Sequence, residues 1–285
     1  MKILLVLWGE SYRSGPHLSD NRGYGDYVKR QVLASKSHIK LIKHLTQGGN
    51  EVDILINTYK LNELDDNNLY TYYNQNSNVI FSIFHDIRLP SENDLFINIF
   101  NTVADVIHNY EIVILIRIDL YLKKLFFEKF TIITQNIMFA HIDSNIDLNS
   151  NDFNICQQIF SVPKKFFGII SNKILNGYHP HLFRNVLISH GINKDDIIYL
   201  TPTLHVCSTD FGWNPFYIQV GRSHSTKYDV SCPYSPGVEY YYNSLTHSFV
   251  HDVSLTVDYY KNELNIDSLE ENLILTESSF NEITN

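Results

Sequence analysis

Apolar runs alternate with helical patterns over the first 120 residues of the chain. A continuous apolar run such as KILLVLW, at residues 2–8, is typical of a strand that is buried on both faces of a parallel sheet. Between the runs, apolar residues recur at helical spacing, with lysines on the other faces of the first helix. The predicted strands lie at 2–8, 51–59, 78–84 and 111–120, and the predicted helices at 26–45 and 89–110. This alternation predicts an α/β domain with a mostly parallel sheet.

Polar residues stand at the end of each of the four predicted strands. The carboxyl ends of parallel strands meet at one edge of a sheet, and ligands bind outside that edge. The residues at the four ends are Gly9 and Glu10, then Asn57, Thr58 and Tyr59, then His85 and Asp86, and finally Arg117 and Asp119. The pattern therefore predicts a binding site at this edge of the sheet.

The pattern is weaker after residue 120. Residues 164–191 resemble two short helices, 196–202 indicate a further strand, and 203–250 are loop-like. We therefore expect a single α/β domain with a loop-rich C-terminal part. Its predicted parts are an N-terminal half at 1–125 that contains the four strand ends, a second half of the same domain at 126–260 and an acidic tail at 261–285.

Composition limits the kinds of partner. The chain has 285 residues and a formal net charge of -9, which argues against sequence-independent binding of nucleic acid. Its three cysteines, Cys156, Cys207 and Cys232, form no CxxC pair, which argues against a disulfide framework and a structural zinc site. No apolar stretch reaches the length of a membrane span. We therefore expect a cytoplasmic protein. The chain also contains 19 tyrosines, whose aromatic faces suit the binding of sugar or nucleoside rings.

Arg117 and Asp119 close a strand that otherwise consists of Ile, Val and Leu. Burying an unpaired carboxylate is costly, so Asp119 needs a partner. One alternative is an ion pair with Arg117 or with a neighbouring helix end. The other is a Mg²⁺ or Mn²⁺ ion, which binds one or two carboxylates together with substrate phosphates. The spacing alone does not decide between these alternatives.

Four segments together resemble a group of glycosyltransferase-like proteins of large DNA viruses and microbial polysaccharide clusters. The resemblance covers about residues 1–220 and rests on GESYRSG, QVLASKSHIKLIKHL with VDILINTY, IVILIRIDLYLKKLF and IFSVPKKFF. It implies a GT-A-type fold, a nucleotide-sugar donor and a divalent cation, Mn²⁺ or Mg²⁺. Members carry a DxD-type motif that presents carboxylates to the metal and diphosphate. Here Arg117, Ile118 and Asp119 hold that place, so Asp119 is the predicted metal ligand and Arg117 an alternative means of offsetting diphosphate charge.

The resemblance also implies roles for the polar strand ends and the loop after the first strand. Gly9 would let the backbone approach the nucleotide, Arg13 and Arg22 would stabilise the diphosphate, and Tyr59 and Asp86 would lie near the base and ribose. The alternative is that the glycines form an ordinary turn and the arginines form surface salt bridges. The predicted donor-binding residues are Gly9, Glu10, Arg13, Arg22, Tyr59, Asp86, Arg117 and Asp119.

Transfer to an acceptor also requires a group that takes the proton from the acceptor hydroxyl. His205 and Asp210 stand near the aromatic residues Trp213 and Tyr217, which suit stacking on a sugar. Asp210 is the preferred candidate for the base, His205 is the second, and Asp152 is another candidate. The alternative is that Trp213 and Phe216 belong to the core and that Asp210 caps a turn.

These observations predict a glycosyltransferase that moves a sugar from a nucleotide-sugar donor to a glycan acceptor. One alternative is a non-catalytic protein of the same fold that binds a sugar or nucleotide. Another is a nucleotide-sugar hydrolase or nucleotidyltransferase on a similar sheet. Fold analogy alone does not separate these functions.

Overall fold

A computed structural model describes residues 1–12, 27–87, 89, 92–122, 124–143, 157–175, 183–200, 204–206, 217–219, 239–243 and 248–252. The alternation of strands and helices in the first half of the chain is confirmed. The strands there are β1 (Lys2–Gly9), β2 (Glu51–Tyr59), β3 (Asn78–His85) and β4 (Ile112–Arg117). The helices are α1 (Tyr27–Gln47), α2 (Glu63–Asn74) and α3 (Glu92–Val106), the last followed by a 3₁₀ turn at Ile107–Asn109.

The second half contains shorter elements. The predicted fourth strand ends at Arg117, and after a turn the chain forms a separate short strand. In chain order the elements are β5 (Leu120–Leu122), α4 (Lys124–Lys129), β6 (Ile137–Phe139), β7 (Ile142–Asp143), β8 (Ile159–Pro163), α5 (Lys164–Leu175), α6 (Phe183–Ser189), β9 (Ile197–Tyr199), β10 (Leu204–Val206), β11 (Tyr217–Gln219), β12 (Glu239–Asn243) and β13 (Ser248–Asp252). Short strands thus occur within the part that the sequence predicts to be loop-rich, and residues 261–285 lie outside the described residues.

The main sheet of the described chain has seven strands in the order β3-β2-β1-β4-β8-β6-β9. Strand β1 pairs in parallel with β2 and β4, β2 pairs in parallel with β3, and β6 pairs in parallel with β9. Only β8 runs against its neighbours β4 and β6. The predicted α/β class, with a mostly parallel sheet flanked by helices, is therefore confirmed.

Both faces of this sheet are covered. Successive side chains of β1 alternate between two apolar clusters, one that includes residues of α1 and α2 and one that includes residues of α3 and α5. Ile3, Leu5 and Leu7 belong to the first cluster, whereas Leu4, Val6 and Trp8 belong to the second. A strand buried on both sides needs apolar residues at every position, which explains the uninterrupted run KILLVLW.

Two smaller sheets accompany the main one among the described strands. Strand β11 pairs with β5, and β10 joins β7, β12 and β13 in a four-stranded sheet. None of the helices in the described ranges is long and apolar enough to cross a membrane. The division of the chain at residues 125 and 260 stays a prediction.

Candidate functional site

The carboxyl edge of the parallel strands carries a row of four buried side chains with polar atoms, Asn57, Trp8, Arg117 and Gln158. The register pairs Trp8 of β1 with Asn57 of β2 on one side and with Arg117 of β4 on the other. Next along the row, the backbone N–H of Arg117 donates to the carbonyl of Gln158 at 3.0 Å. Strand order reverses at β1, because β2 and β3 lie to one side and β4 to the other. Open α/β sheets bind ligands at this topological switch point.

Arg117 and Asp119 form a two-point ion pair at the centre of this edge. Nε of Arg117 lies 3.0 Å from Oδ1 of Asp119, and Nη2 lies 3.1 Å from Oδ2. The side chains are 5% and 1% exposed, so the pair is buried. The guanidinium also lies over the indole of Trp8, 5.2 Å from the ring centroid. Of the two partners that the sequence left open for Asp119, the structure contains the ion pair with Arg117.

Gly9 brings bare backbone against this pair. Its φ of +105° lies in a region that side chains rarely adopt, so the position requires glycine. A Cβ added here would lie 3.6 Å from Cζ of Arg117 and 3.7 Å from its Nε and Nη2 atoms. The glycine therefore satisfies a backbone requirement, and a side chain at this position would contact the guanidinium.

Two buried polar atoms of the row have no hydrogen-bond partner within the described part of the chain. They are the indole Nε1 of Trp8 and the amide Oε1 of Gln158, in side chains that are 0% and 5% exposed. Buried polar atoms are paired in most proteins, so each such atom calls for an explanation. A donor on one side of Arg117 and an acceptor on the other are suited to a polar ligand.

The loop after β1 is held by hydrogen bonds to the end of β2 and to helix α1. The N–H of Ser11 donates to Oγ1 of Thr58 at 2.8 Å, and its hydroxyl donates to the carbonyl of Tyr59 at 3.2 Å. The N–H of Tyr12 donates to Oε1 of Gln31 at 3.1 Å, while Nε2 of Gln31 donates to the carbonyl of Ile118 at 3.0 Å. Gln31, on α1, thus connects the loops that follow β1 and β4.

Sequence reasoning missed Gln31, although a signal was present. Gln31, Ser35 and His38 recur at helical spacing on the buried face of α1, where uncharged polar residues need internal partners. Nε2 of Gln31 donates to Oγ of Ser35 at 3.3 Å, and the Tyr73 hydroxyl lies 3.1 Å from that oxygen and 2.7 Å from Nδ1 of His38. A continuous hydrogen-bonded chain therefore extends from the site into the core.

The far end of this chain is a neutral histidine. Burial lowers the pKa of His38 to about 3, and this effect exceeds the opposing ones of the Leu120 carbonyl and the Asp119 carboxylate. Nε2 of His38 has no hydrogen bond within the described residues. Burial also raises the pKa of Tyr73. The chain under the site is therefore uncharged at neutral pH.

A second polar cluster lies at the ends of β2 and β3. Nδ2 of Asn57 donates to Oδ1 of Asn98 on α3 at 2.7 Å, and Nε2 of His85 lies 2.8 Å from Oδ1 of Asn57. The rings of Tyr59 and His85 lie 5.9 Å apart, and burial lowers the pKa of His85. The structure thus brings Tyr59 to the site edge next to His85.

Asp86 stands at the surface beside this cluster. It forms an exposed ion pair with Lys60 at 3.1 Å, with 78% of its side chain accessible. Glu10 follows β1 directly, between Gly9 and Ser11. Both residues are close in sequence to the edge, and their contact with a nucleotide stays a prediction.

Several predicted site residues lie outside the described residues. They are Arg13 and Arg22 on the donor side and Asp152 and Asp210 on the acceptor side. His205 belongs to β10 in the four-stranded sheet, opposite Ile142 of β7, and so lies outside the row on the main sheet.

Tyr217 does not form the predicted stacking surface. Its side chain is 1% exposed, its hydroxyl lies 3.2 Å from Nε2 of His141, and the two rings stack at 6.0 Å. This tyrosine belongs to the core because β11 pairs with β5, opposite Leu122. The same pairing places the chain that follows Asp210 against the strand that follows Asp119.

The described residues do not fit a divalent cation at Asp119. Both carboxylate oxygens already accept hydrogen bonds from Arg117. Within the described ranges no group of three or more His, Cys, Asp or Glu side chains could hold a metal ion. The role of Asp119 as a metal ligand stays a prediction, and the observed geometry favours its role as the counter-ion of Arg117.

No protein-family model and no curated protein matches this chain. Solved structures similar to it include the bifunctional glycosyltransferase WbbM, which is 10% identical, with 74% of this chain and 39% of WbbM covered and a TM-score of 0.40. The galactosyltransferase LgtC, solved with donor and acceptor sugar analogues, is 11% identical, with 70% and 73% covered and a TM-score of 0.41. A mutant of Drosophila beta-1,4-galactosyltransferase 7, solved with manganese, UDP-Gal and xylobiose, is 10% identical, with 81% and 78% covered and a TM-score of 0.39. At TM-scores below 0.5, the argument for function rests on the chain's own residues.

Proposed function

We propose that this chain is a glycosyltransferase that moves a sugar from a nucleotide-sugar donor to a glycan acceptor. The observation that carries the proposal is the buried pair of Arg117 and Asp119 beside Gly9, at the switch point of a parallel sheet. A fixed guanidinium next to backbone without a side chain is suited to a diphosphate, which is bulky, anionic and recognised by paired N–H donors.

The chemistry would be stabilisation of the leaving group. Negative charge builds on the nucleoside diphosphate as its bond to the sugar breaks, and a positive group that is already in place lowers the barrier. Asp119 and the Trp8 ring hold the guanidinium of Arg117 in one orientation. Asp119 takes two of the five N–H donors of that group. Arg13 and Arg22, in the segment after β1, are proposed to add further positive charge.

The nucleoside is proposed to contact the ends of β2 and β3. Tyr59 offers an aromatic ring there, and Asn57 is held in place by Asn98 and His85. Asp86 is accessible at the same edge and could accept from ribose hydroxyls.

The acceptor is proposed to enter from the side of β5 and β11. Asp210 is the candidate base, with His205 as the second candidate. Support comes from the pairing of Gln219 with Leu120, which joins the chain after Asp210 to the strand after Asp119. A carboxylate there would take the proton of the acceptor hydroxyl, and His205, on β10 in the four-stranded sheet, is the alternative base.

A thermal-shift screen tests donor binding. The full chain is heated with UDP, GDP, CMP and dTDP sugars, with and without Mn²⁺, because a ligand that binds the folded state raises its melting temperature. We expect one nucleotide to raise it, with little further effect of Mn²⁺. A shift that requires Mn²⁺ would mean that Asp119 leaves Arg117 to bind the cation. No shift with any nucleotide would overturn the proposal.

Two matched variants test whether nucleotide binding depends on Arg117. Arg117→Gln should lose the nucleotide-dependent shift, measured against its own ligand-free melting temperature. Arg184→Gln, on α6, removes the same charge outside the row and should keep the shift. Equal loss in both variants would exclude Arg117 as the specific contact.

The non-catalytic alternative is favoured by one observation. Arg117, which is paired with Asp119, stands where the proteins that the sequence resembles carry a second acid. Product analysis separates the alternatives. Release of nucleoside diphosphate only with an acceptor indicates a transferase, release without acceptor indicates a hydrolase, pyrophosphate indicates a nucleotidyltransferase, and binding without turnover indicates a non-catalytic protein.

A further inference from the structure

Helix α1 carries an unusual concentration of one charge sign. It contains 5 of the 22 Lys and Arg residues and none of the 31 Asp and Glu, so the rest of the chain carries a formal charge of -14. Its exposed lysines include Lys36 and Lys40, four residues apart, and Lys43, three residues further on. Like charges at these spacings destabilise a helix. The arrangement therefore does not serve the stability of the helix itself.

These lysines line a surface groove of about 530 Å³. The groove lies along the second half of α1, away from Gln31 and the candidate site, and aromatic side chains of neighbouring helices form part of its wall. The ammonium of Lys40 lies 4.7 Å from the ring centroid of Phe127, and the His44 ring lies edge-on to the same ring at 6.4 Å. The groove residues used below are Lys36, Lys40, Lys43, His44, Tyr72 and Phe127.

The spacing of the lysines fits an extended array of anions better than a single one. Lys36 and Lys43 are separated by seven residues, or roughly 10 Å along the helix axis. Three lysines spread over this length suit several anionic groups along the helix better than one phosphate. The strongly acidic remainder of the chain would repel a flexible polyanion that wrapped around the protein, whereas a flat surface can meet this face alone.

The aromatic residues add a preference for the boundary between water and lipid. The half-buried ring of Phe127 lies beside the ammonium of Lys40 in the groove wall. Tyr72 is 6% exposed and closes the wall from the core side, and burial raises its pKa to about 12, so its hydroxyl stays neutral. Lysine stems with charged tips beside aromatic rings suit the headgroup region of a bilayer. We propose that this face of α1 docks the protein on a bilayer surface that contains anionic phospholipids. The proposal is independent of the proposed function.

The expected strength follows from the charges. Each Lys near an anionic bilayer surface contributes about fivefold to the partition coefficient. Lys36, Lys40 and Lys43 together therefore contribute on the order of 100-fold, and binding should weaken with salt, because the Debye length falls from about 10 Å at 0.1 M to about 3 Å at 1 M.

Co-sedimentation of the full chain with vesicles tests the proposal. One vesicle is phosphatidylcholine alone, and the other is phosphatidylcholine and phosphatidylglycerol in equal parts. We expect binding to the second and not to the first, lost at high salt. Failure to bind the anionic vesicle, or equal binding to both vesicles, would overturn the proposal.

Two triple variants with the same change in net charge assign the effect to this face. Lys36→Gln, Lys40→Gln and Lys43→Gln together should reduce partitioning by about two orders of magnitude. Lys164→Gln, Lys165→Gln and Lys194→Gln, on α5 and on the 3₁₀ turn at Lys194–Asp196, serve as the control and should bind as the native chain does. An equal loss of vesicle binding in both triple variants would show that binding depends only on net charge, and this would overturn the proposal.

A binding experiment with nucleic acid distinguishes an anionic bilayer from a nucleic acid as the partner of this face. Single-stranded nucleic acid is added to the chain without vesicles, and binding is measured by anisotropy. The bilayer proposal expects weak binding. Tight binding that depends on the α1 lysines, together with no binding to anionic vesicles, would assign the face to nucleic acid instead.

Discussion

Replacing Asp119 with Asn would remove the counter-ion of Arg117 while keeping the size of the side chain. Arg117 is 4% exposed, and its guanidinium lies beside Gly9 and over Trp8, so Asp119 rather than bulk water compensates most of its charge. Breaking a buried ion pair from one side costs about 3–5 kcal/mol, because the remaining charge stays buried and unpaired. For a chain of this length, each kcal/mol lowers the melting temperature by about 2–4 °C, which gives a decrease of roughly 6–20 °C.

The matched control replaces both partners. Arg117→Met with Asp119→Leu removes both charges and fills the space with apolar groups, which is often neutral or stabilising for a buried pair. We expect this double variant to recover most of the stability that Asp119→Asn loses. Urea denaturation followed by tryptophan fluorescence measures each free energy of unfolding, and the cycle Arg117→Met, Asp119→Leu and both together gives the coupling.

A small effect would refute the reasoning. If Asp119→Asn lowers the free energy of unfolding by less than about 1 kcal/mol, the guanidinium is not held by a buried counter-ion. The support for leaving-group stabilisation by a fixed Arg117 would then be lost.

Two further predictions concern the surroundings of this pair. Gly9→Ala should lower the free energy of unfolding by about 1–2 kcal/mol in urea, because φ is +105°, while Gly168→Ala, in α5 with no atom within 4 Å of the added methyl, should raise it by about 0.5–1 kcal/mol. Equal effects would contradict the backbone argument. His38 has a folded pKa of about 3 against an ordinary 6.5, so the unfolded chain binds the proton first on acidification. The stability associated with this residue is complete above pH 6.5 and decreases as the pH falls toward 3, by about 3 kcal/mol at pH 4. His38→Gln should flatten the measured dependence of unfolding free energy on pH in this range, and an unchanged slope would contradict it.

The sequence by itself determined the class of fold and the edge that carries the site. Burial on both faces requires apolar residues at every position of β1 and β4, so the strands can be read from local pattern alone. The helices between these strands favour parallel pairing, and parallel strands bring their carboxyl ends to one edge. The positions of Gly9, Tyr59 and Arg117 at one edge follow from this pattern.

The tertiary structure decided which side chains interact with each other and in which direction the later strands run. The sequence left Asp119 between a cation and an arginine, because spacing gives no side-chain direction after a strand that ends at Arg117. The sequence did not indicate that β8 runs antiparallel to β4, because the apolar pattern of a short strand is the same in either direction. Gln31 donates a hydrogen bond to the carbonyl of Ile118, which is 87 residues away in the chain. Tyr217 is buried because β11 pairs with β5. Local patterns record which side chains avoid water, whereas hydrogen bonds and ion pairs depend on which distant segments meet, and only the folded chain brings those segments together.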